Sequence, residues 1–147
     1  MKKCITIAVL LIVLAAAVSA AGQEYSPEKA AVKKAIHDHY KEGKVKNDPK
    51  YFDQLLHKDW HFHTMDHGNL RILDKAEYLS QYDPSKADPD IEWTLEFLTV
   101  EVDGNVGFAK FKLDFQTAHY IDYFSLMKLD GKWWVVHKMS RYVRNQD

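Results

Sequence analysis

Apolar positions early in the chain recur every three to four residues. Ala31, Val32, Ala35, Ile36, His39 and Tyr40 fall on one face, with Lys29, Lys33, Lys34, Asp38 and Lys41 opposite, which predicts an amphipathic helix. Ser26-Pro27-Glu28 supplies its start: an N-cap serine, a proline at the first position and an acid in the first turn. Gly43 is the expected stop. Asp48-Pro49 opens a shorter helix through Tyr51, Phe52, Leu55 and Leu56. The period then changes to two. Trp60 to Met65 alternates as a strand, Asp66 to Asn69 is a turn, and Leu70 to Leu73 a short return strand. Asp74-Lys75-Ala76-Glu77 is a capping box, so a third helix is expected to about Gln81. Tyr82 to Asp90 is polar, contains Pro84 and Pro89, and reads as a loop placed to flank a pocket mouth.

From Ile91 onward the pattern is all strand. Ile91, Trp93, Leu95 and Phe97 alternate with Glu92, Thr94 and Glu96, and the phase slips near Leu98, which predicts a bulge. Asp103-Gly104-Asn105 is a hairpin turn, and Val106 to Thr117 follows with a second expected slip around Ala109-Lys110. His119 to Leu129 and Lys132 to Tyr142 flank Asp130-Gly131, a strong hairpin signal. Helices first and a long meander second is an α+β arrangement. A curved, bulged sheet wrapped over the helices would make a cone with one open end.

Asp122 is the odd residue in this pattern, an acid where a strand would bury it. A two-residue loop at Asp130-Gly131 makes Leu126 oppose Val135, Phe124 oppose His137 and Asp122 oppose Met139. Asp122, Phe124, Leu126, Val135, His137 and Met139 then share one face with Trp133, and Ile121, Tyr123, Ser125, Met127, Trp134, Val136 and Lys138 the other. The first face is expected to line the interior. A buried acid must be protonated, paired or hydrogen-bonded, and His137, Tyr40 and Tyr120 are the candidate partners.

Met1-Lys2-Lys3, the apolar run Ile5 to Ala17 and the small residues Val18-Ser19-Ala20 read as a secretory signal peptide spanning residues 1–20. The chain is therefore expected to be exported, periplasmic or secreted, with no membrane association after cleavage. The sole cysteine, Cys4, leaves with that segment, so the mature domain (residues 21–147) has no disulfide, thiolate nucleophile or cysteine-ligated zinc. About 126 residues suffice for one domain with one core. Loss of Lys2 and Lys3 leaves 18 basic residues against 21 acidic ones, with no basic patch suited to nucleic acid.

Tyr40 in a first helix ending near Gly43, the segment Leu55-Leu56-His57-Lys58-Asp59 after the second helix, and Asp122-Tyr123 followed by Leu129-Asp130-Gly131-Lys132-Trp133 together resemble the nuclear transport factor 2-like superfamily. The similarity is to its bacterial lumazine-binding branch and covers essentially the whole mature chain. It implies a cone-shaped α+β barrel, a pocket between sheet and helices, and a homodimer through the outer sheet face. Relatives include ketosteroid isomerases, dehydratases and non-enzymatic binders, so the fold alone does not fix the function. In the isomerases a helix tyrosine and a strand acid form an oxyanion hole, and Tyr40 and Asp122 fall on those positions. Their general base, an acid on the strand after the second helix, corresponds here to Thr64. Without it an oxyanion hole polarises a carbonyl but moves no proton from carbon.

His57, His61, His63 and His67 lie close in sequence, and His61 and His63 share a strand face at a spacing able to chelate zinc or copper. Trp60 and Phe62, however, claim the interior, which sends both histidines to solvent or to a dimer interface. No metal and no cofactor is expected. His57 reads as a structural hydrogen-bonder. The aromatic residues Trp60, Trp93, Trp133, Phe62, Phe97, Phe108, Phe111, Phe115 and Phe124 divide between core and a surface able to stack a flat heterocycle. The expected function is binding of a small, flat or mostly apolar molecule by Tyr40, Trp60, Phe62, Thr64, Tyr120, Asp122, Phe124 and His137. The alternatives are an isomerase- or dehydratase-like enzyme using Tyr40, Asp122 and His137, and a non-catalytic dimeric interaction module.

Overall fold

A computed structural model describes residues 26–145. The expected signal peptide lies outside the described residues. Helix α1 (Pro27–Ala35) runs on through a π-helical segment (Ile36–Lys41) into α2 (Glu42–Lys46). Ser26 caps α1 by accepting the Lys29 N–H. The continuous helix buries Val32, Ile36 and Tyr40 at a strict spacing of four. On a 3.6-residue helix that spacing drifts by about 40° per step. The wider π turn opposes the drift, which keeps Tyr40 and, one turn later, Lys44 directed at the sheet.

Gly43 does not stop the helix. The left-handed residue that ends it is Asn47, at φ 49°. Gly43 serves instead as a point of close approach, where the Phe52 ring from α3 (Pro49–Asp53) lies against the helix backbone. Helix α4 (Lys75–Leu79) is capped by Asp74, as its capping box predicts, and the Pro84–Lys86 stretch forms a 3-10 turn within the expected loop.

The strands are β1 (Leu56–Asp66), β2 (Asn69–Asp74), β3 (Trp93–Asp103), β4 (Val106–Phe115), β5 (Ala118–Leu129) and β6 (Lys132–Arg144). They form one curved, unclosed sheet in the order β2-β1-β6-β5-β4-β3. Every neighbouring pair is antiparallel except β1 and β6. This is the α+β architecture expected from the sequence. The bulge near Leu98 is present between Phe97 and Thr99. The slip expected around Ala109-Lys110 is absent, since β4 pairs without interruption on both sides. Gly107, Ala109, Phe111 and Leu113 face inward, and Phe108 faces outward against Tyr123. The lack of a side chain at Gly107 leaves room for Trp133, whose ring lies 3.2 Å from where a Gly107 Cβ would be.

The core joins Val32, Ile36 and Tyr40 to Phe52, Trp60, Phe111, Phe124, Leu126 and Val135. Glu28 pins the start of α1 to the last hairpin by accepting from Lys128 Nζ at 2.7 Å and Trp133 Nε1 at 2.9 Å. Those two bonds, the lysine's above all, hold its carboxyl below the ordinary glutamate range.

Gly43→Ala tests the close approach. Alanine favours a helix by about 1 kcal/mol over glycine, but its Cβ would stand 2.6 Å from Phe52 Cζ. A net destabilisation of about 1–3 kcal/mol by urea denaturation is expected.

Candidate functional site

The interior of the cone is set by a bulge in β6. Leu126 pairs with Val135, but Ser125 pairs with His137, so Val136 is an extra residue. Beyond it every side chain of β6 changes face. Phe124 opposes Lys138, and Asp122 opposes Ser140. Lys138 therefore enters the cone and His137 leaves it, the reverse of the uninterrupted hairpin. Met139 likewise lies outside, 47% exposed.

Asp122 (0% exposed), Tyr40 (0%) and Lys138 (3%) meet at the centre. Tyr40 donates to Asp122 Oδ2 at 2.7 Å, and Lys138 donates to the Tyr40 hydroxyl at 2.5 Å. Lys138 Nζ stands 3.4 Å from the same carboxylate oxygen. The lysine also lies over the rings of Phe62 at 4.4 Å and Tyr40 at 5.0 Å. Burial, with Asp122's charge added, raises the Tyr40 phenol well above its ordinary value. Burial lowers the Lys138 ammonium, and Asp122 opposes that shift. Tyr40 is thus a neutral hydroxyl whose single proton is given to Asp122. It has none left for a ligand oxygen, which is what an oxyanion hole requires. Asp122 Oδ1 and Ser140 Oγ, on facing residues, are buried without a hydrogen-bond partner.

A second polar chain runs toward the mouth of the cone. Lys44 on α2 donates to the Tyr82 hydroxyl at 2.6 Å, and Tyr82 donates to Tyr78 at 2.7 Å. The Lys44 ammonium is ringed by Tyr82 at 5.0 Å, Tyr120 at 5.3 Å, Tyr78 at 5.8 Å, Tyr40 at 5.9 Å and Phe52 at 6.0 Å. Burial pushes its pKa down to about 8 against the attraction of Asp122. Burial also carries Tyr82 up to about 12. Lys44, Lys138, Tyr78 and Tyr82 were not among the residues singled out from sequence. Lys44 follows Tyr40 by one helical turn, which is the signal that could have found it.

The remaining candidates divide between centre, mouth and exterior. Trp60 and Phe124 are fully buried, and Phe62 packs against the core. Thr64 donates to the Ser140 carbonyl at 3.4 Å, so the position matching an isomerase base holds a hydroxyl turned to backbone. Tyr120 is half-buried at the mouth beside Phe115, which in turn packs on Trp93. His61 is exposed, and His63 Nδ1 lies 2.8 Å from His137 Nε2 on the outer sheet face. Burial, aided by His63 and His61, lowers the His137 pKa. Among the described residues no group of three or more histidine, cysteine or acidic side chains is placed to hold a metal ion. His57 accepts from the Asp59 N–H at 3.3 Å.

Side chains fill the centre, so open space lies at its margins. One groove of about 820 Å³ runs between α1 and β3, past Lys33, Phe97 and Val100. A cleft of about 510 Å³ opens at the mouth, lined by Lys41 and Val45 of the helix, Trp93, Gln116 and the loop residues Pro89 to Glu92.

Residues 27–141 match the family described as "Putative lumazine-binding". No curated protein matches the chain by sequence. Three NTF2-like proteins of unknown function have similar solved structures. The one from Silicibacter pomeroyi superposes with a TM-score of 0.70 at 16% identity, covering 78% of this chain and 95% of that one. The one from Shewanella baltica gives 0.68 at 20%, covering 82% and 98%. The one from Methylobacillus flagellatus gives 0.68 at 15%, covering 82% and 95%.

Two predictions concern the buried charges. Lys138→Met or Asp122→Asn alone is expected to cost about 3–5 kcal/mol in urea denaturation, because each strands a buried polar partner. The double variant should lose less than the sum of the two, since each stranded group is removed with its partner. Lys44 gives a pH signature. Between about 8 in the folded chain and the ordinary 10.5, the unfolded chain holds the proton that the folded one has released. Stability therefore rises with pH across that window. Relative to Lys44→Met, the native protein should gain about 2 kcal/mol from pH 8 to pH 10.5, below the full value of the shift because the side chain is only partly buried.

Proposed function

Because the chain belongs to this lumazine-binding family and has the NTF2-like fold, we propose that it is an exported binding protein for a small, flat molecule held at the mouth of the cone. The supporting observation is the aromatic wall beside the mouth cleft. Trp93 lies 4.7 Å from Phe115, Phe115 5.7 Å from Tyr120, and Tyr120 5.4 Å from Tyr142, measured between ring centroids. All four rings keep some exposure. Half-exposed rings at a concave edge offer a stacking surface, and such surfaces suit planar heterocycles. Lumazine, which the family's description names, is of that class.

Binding is favoured over isomerisation or dehydration by the chemistry at the centre. Tyr40 and Asp122 are sealed from solvent and bonded to one another, and Thr64 supplies no base. The ligand contacts first expected of Tyr40, Asp122 and His137 pass in this reading to the residues of the mouth. Export to the periplasm or beyond rests on the N-terminal pattern Met1 to Ala20.

The outer sheet face supports a homodimer. Met65 and Leu70 face each other across β1 and β2, Ile72 pairs with His63, and His63 with Met139. Met65, Leu70, Ile72 and Met139 are 47–65% exposed and gather around His63, an apolar-rich surface of the kind that a second subunit covers.

The binding reading is tested by titrating the purified chain with a neutral planar probe, 2-naphthamide, by calorimetry. Saturable binding that weakens about tenfold in Trp93→Leu is expected, and no saturable binding of this probe or of its carboxylate and ammonium analogues would sink the reading. For the dimer, light scattering should give twice the chain mass, falling to the single-chain mass in Met139→Asp. A native protein at single-chain mass would refute it.

A further inference from the structure

The ionisable groups inside the cone do not cancel. Asp122 is a single carboxylate, and Lys138 at 3.4 Å is its ion-pair partner. Lys44 brings a second ammonium into the same interior. It takes part in none of the ion pairs found among the described residues. Its ammonium meets one hydroxyl, that of Tyr82, and the faces of five rings. Ring faces attract a cation but do not neutralise it. With both ammoniums protonated the set carries one positive charge in excess, and of the three groups Lys44 is the one that keeps contact with solvent.

That charge is placed on the ligand side of the molecule. Lys44 adjoins Val45, which with Lys41 lines the mouth cleft, and its ammonium lies behind that lining, against Tyr82 and Tyr120. Tyr120 links it to the aromatic wall, with its ring 5.3 Å from the ammonium and 5.7 Å from Phe115. The cleft's own charges are divided. Lys41 stands on the helix side with Lys44, whereas Asp90 and Glu92 sit on the exposed loop opposite. A planar ligand on the wall would thus meet cations at its helix end and acids at its loop end.

We propose that the mouth of the cone selects a flat aromatic anion, with its ring on Trp93, Phe115 and Tyr120 and its carboxylate or equivalent oxyanion on the Lys44 ammonium. This rests on the binding reading above and adds the charge of the ligand and the residue that reads it. A charge-assisted bond to an ammonium that no carboxylate contacts is stronger than a neutral one. It also favours the protonated lysine, so binding takes up protons where the free protein has begun to lose them. Asp122, Lys138, Tyr40, Tyr78, Tyr82 and Tyr120 surround Lys44, and Lys41, Asp90 and Glu92 border the cleft. Of the surrounding hydroxyls, all four are held above their ordinary range and stay neutral through pH 9.

The test is calorimetric titration of the full chain with 2-naphthoate, 2-naphthamide and 2-naphthylmethylammonium at pH 7. Naphthoate should bind at least tenfold more tightly than the amide, and the ammonium most weakly. Naphthoate affinity should fall about tenfold between pH 7 and pH 9, with the amide unchanged. Lys44→Gln should erase both the preference and its pH dependence, and Lys44→Arg should keep the preference. Equal affinities of acid and amide in the native protein overturn the anion inference and leave the small-molecule reading standing. Failure of all three probes to bind removes both. The acid-amide comparison needs no variant, so it decides the matter even if Lys44→Gln does not fold.

Discussion

The structure is organised around a charge that had to be buried. Asp122 sits at the centre of an apolar cone, where an isolated carboxylate is untenable. Lys138 and Tyr40 make it tenable from opposite layers, one from the sheet and one from the helix. The hydrogen bonds from Lys138 to Tyr40 and from Tyr40 to Asp122 fix how the helix lies across the sheet, because no other rotation of the helix brings the hydroxyl between them. Replacing such a set with apolar residues need not weaken a protein, whereas breaking it does. Its effect here is to specify one arrangement of helix on sheet.

The same constraint explains where ligand chemistry is found. A centre closed by Tyr40, Asp122, Lys138 and the packed rings of Phe52, Phe111 and Phe124 leaves as unpartnered buried groups Asp122 Oδ1, the Ser140 hydroxyl and the Trp60 indole N–H, all sealed from solvent. What remains available lies one helical turn further along. The π-helical segment keeps Lys44 on the stripe begun by Val32. It carries that lysine to the mouth, where rings are half-exposed and a cleft opens. Centre and mouth are thus consecutive turns of one helix, the first fixing helix on sheet and the second carrying the lysine of the proposed ligand site.

Much of this was legible in the sequence. Ser26-Pro27, Asp48-Pro49 and Asp74 mark the helix starts because capping is local chemistry. The slip at Leu98 was visible because regular alternation precedes it. Tyr40 and Asp122 could be placed together through a resemblance that ties a helix tyrosine to a strand acid. Elsewhere pattern misled. Phe108 groups by type with the core and stacking aromatics, yet it faces outward, and the inner face goes to Gly107, where Trp133 needs the room, and to Ala109. Gly43 reads as a stop, yet it is where a phenylalanine ring approaches the backbone, and only packing reveals that use of a glycine.

The sequence by itself determined the elements, their order, the α+β class and the presence of an acid and a tyrosine with an interior to share. The tertiary structure decided which cation joins them. Trp133, Trp134, Val135 and Val136 are four apolar residues in a row, and burying one alternate pair or the other gains similar free energy. Period alone therefore cannot say where the phase changes. The bulge at Val136 settled it, because it brings the Lys138 ammonium to the buried carboxylate and leaves His137 to its histidine neighbour outside. That choice depends on a charge carried by Asp122, sixteen residues earlier on the neighbouring strand, and on Tyr40 from the helix. It exists only once the sheet has closed over both.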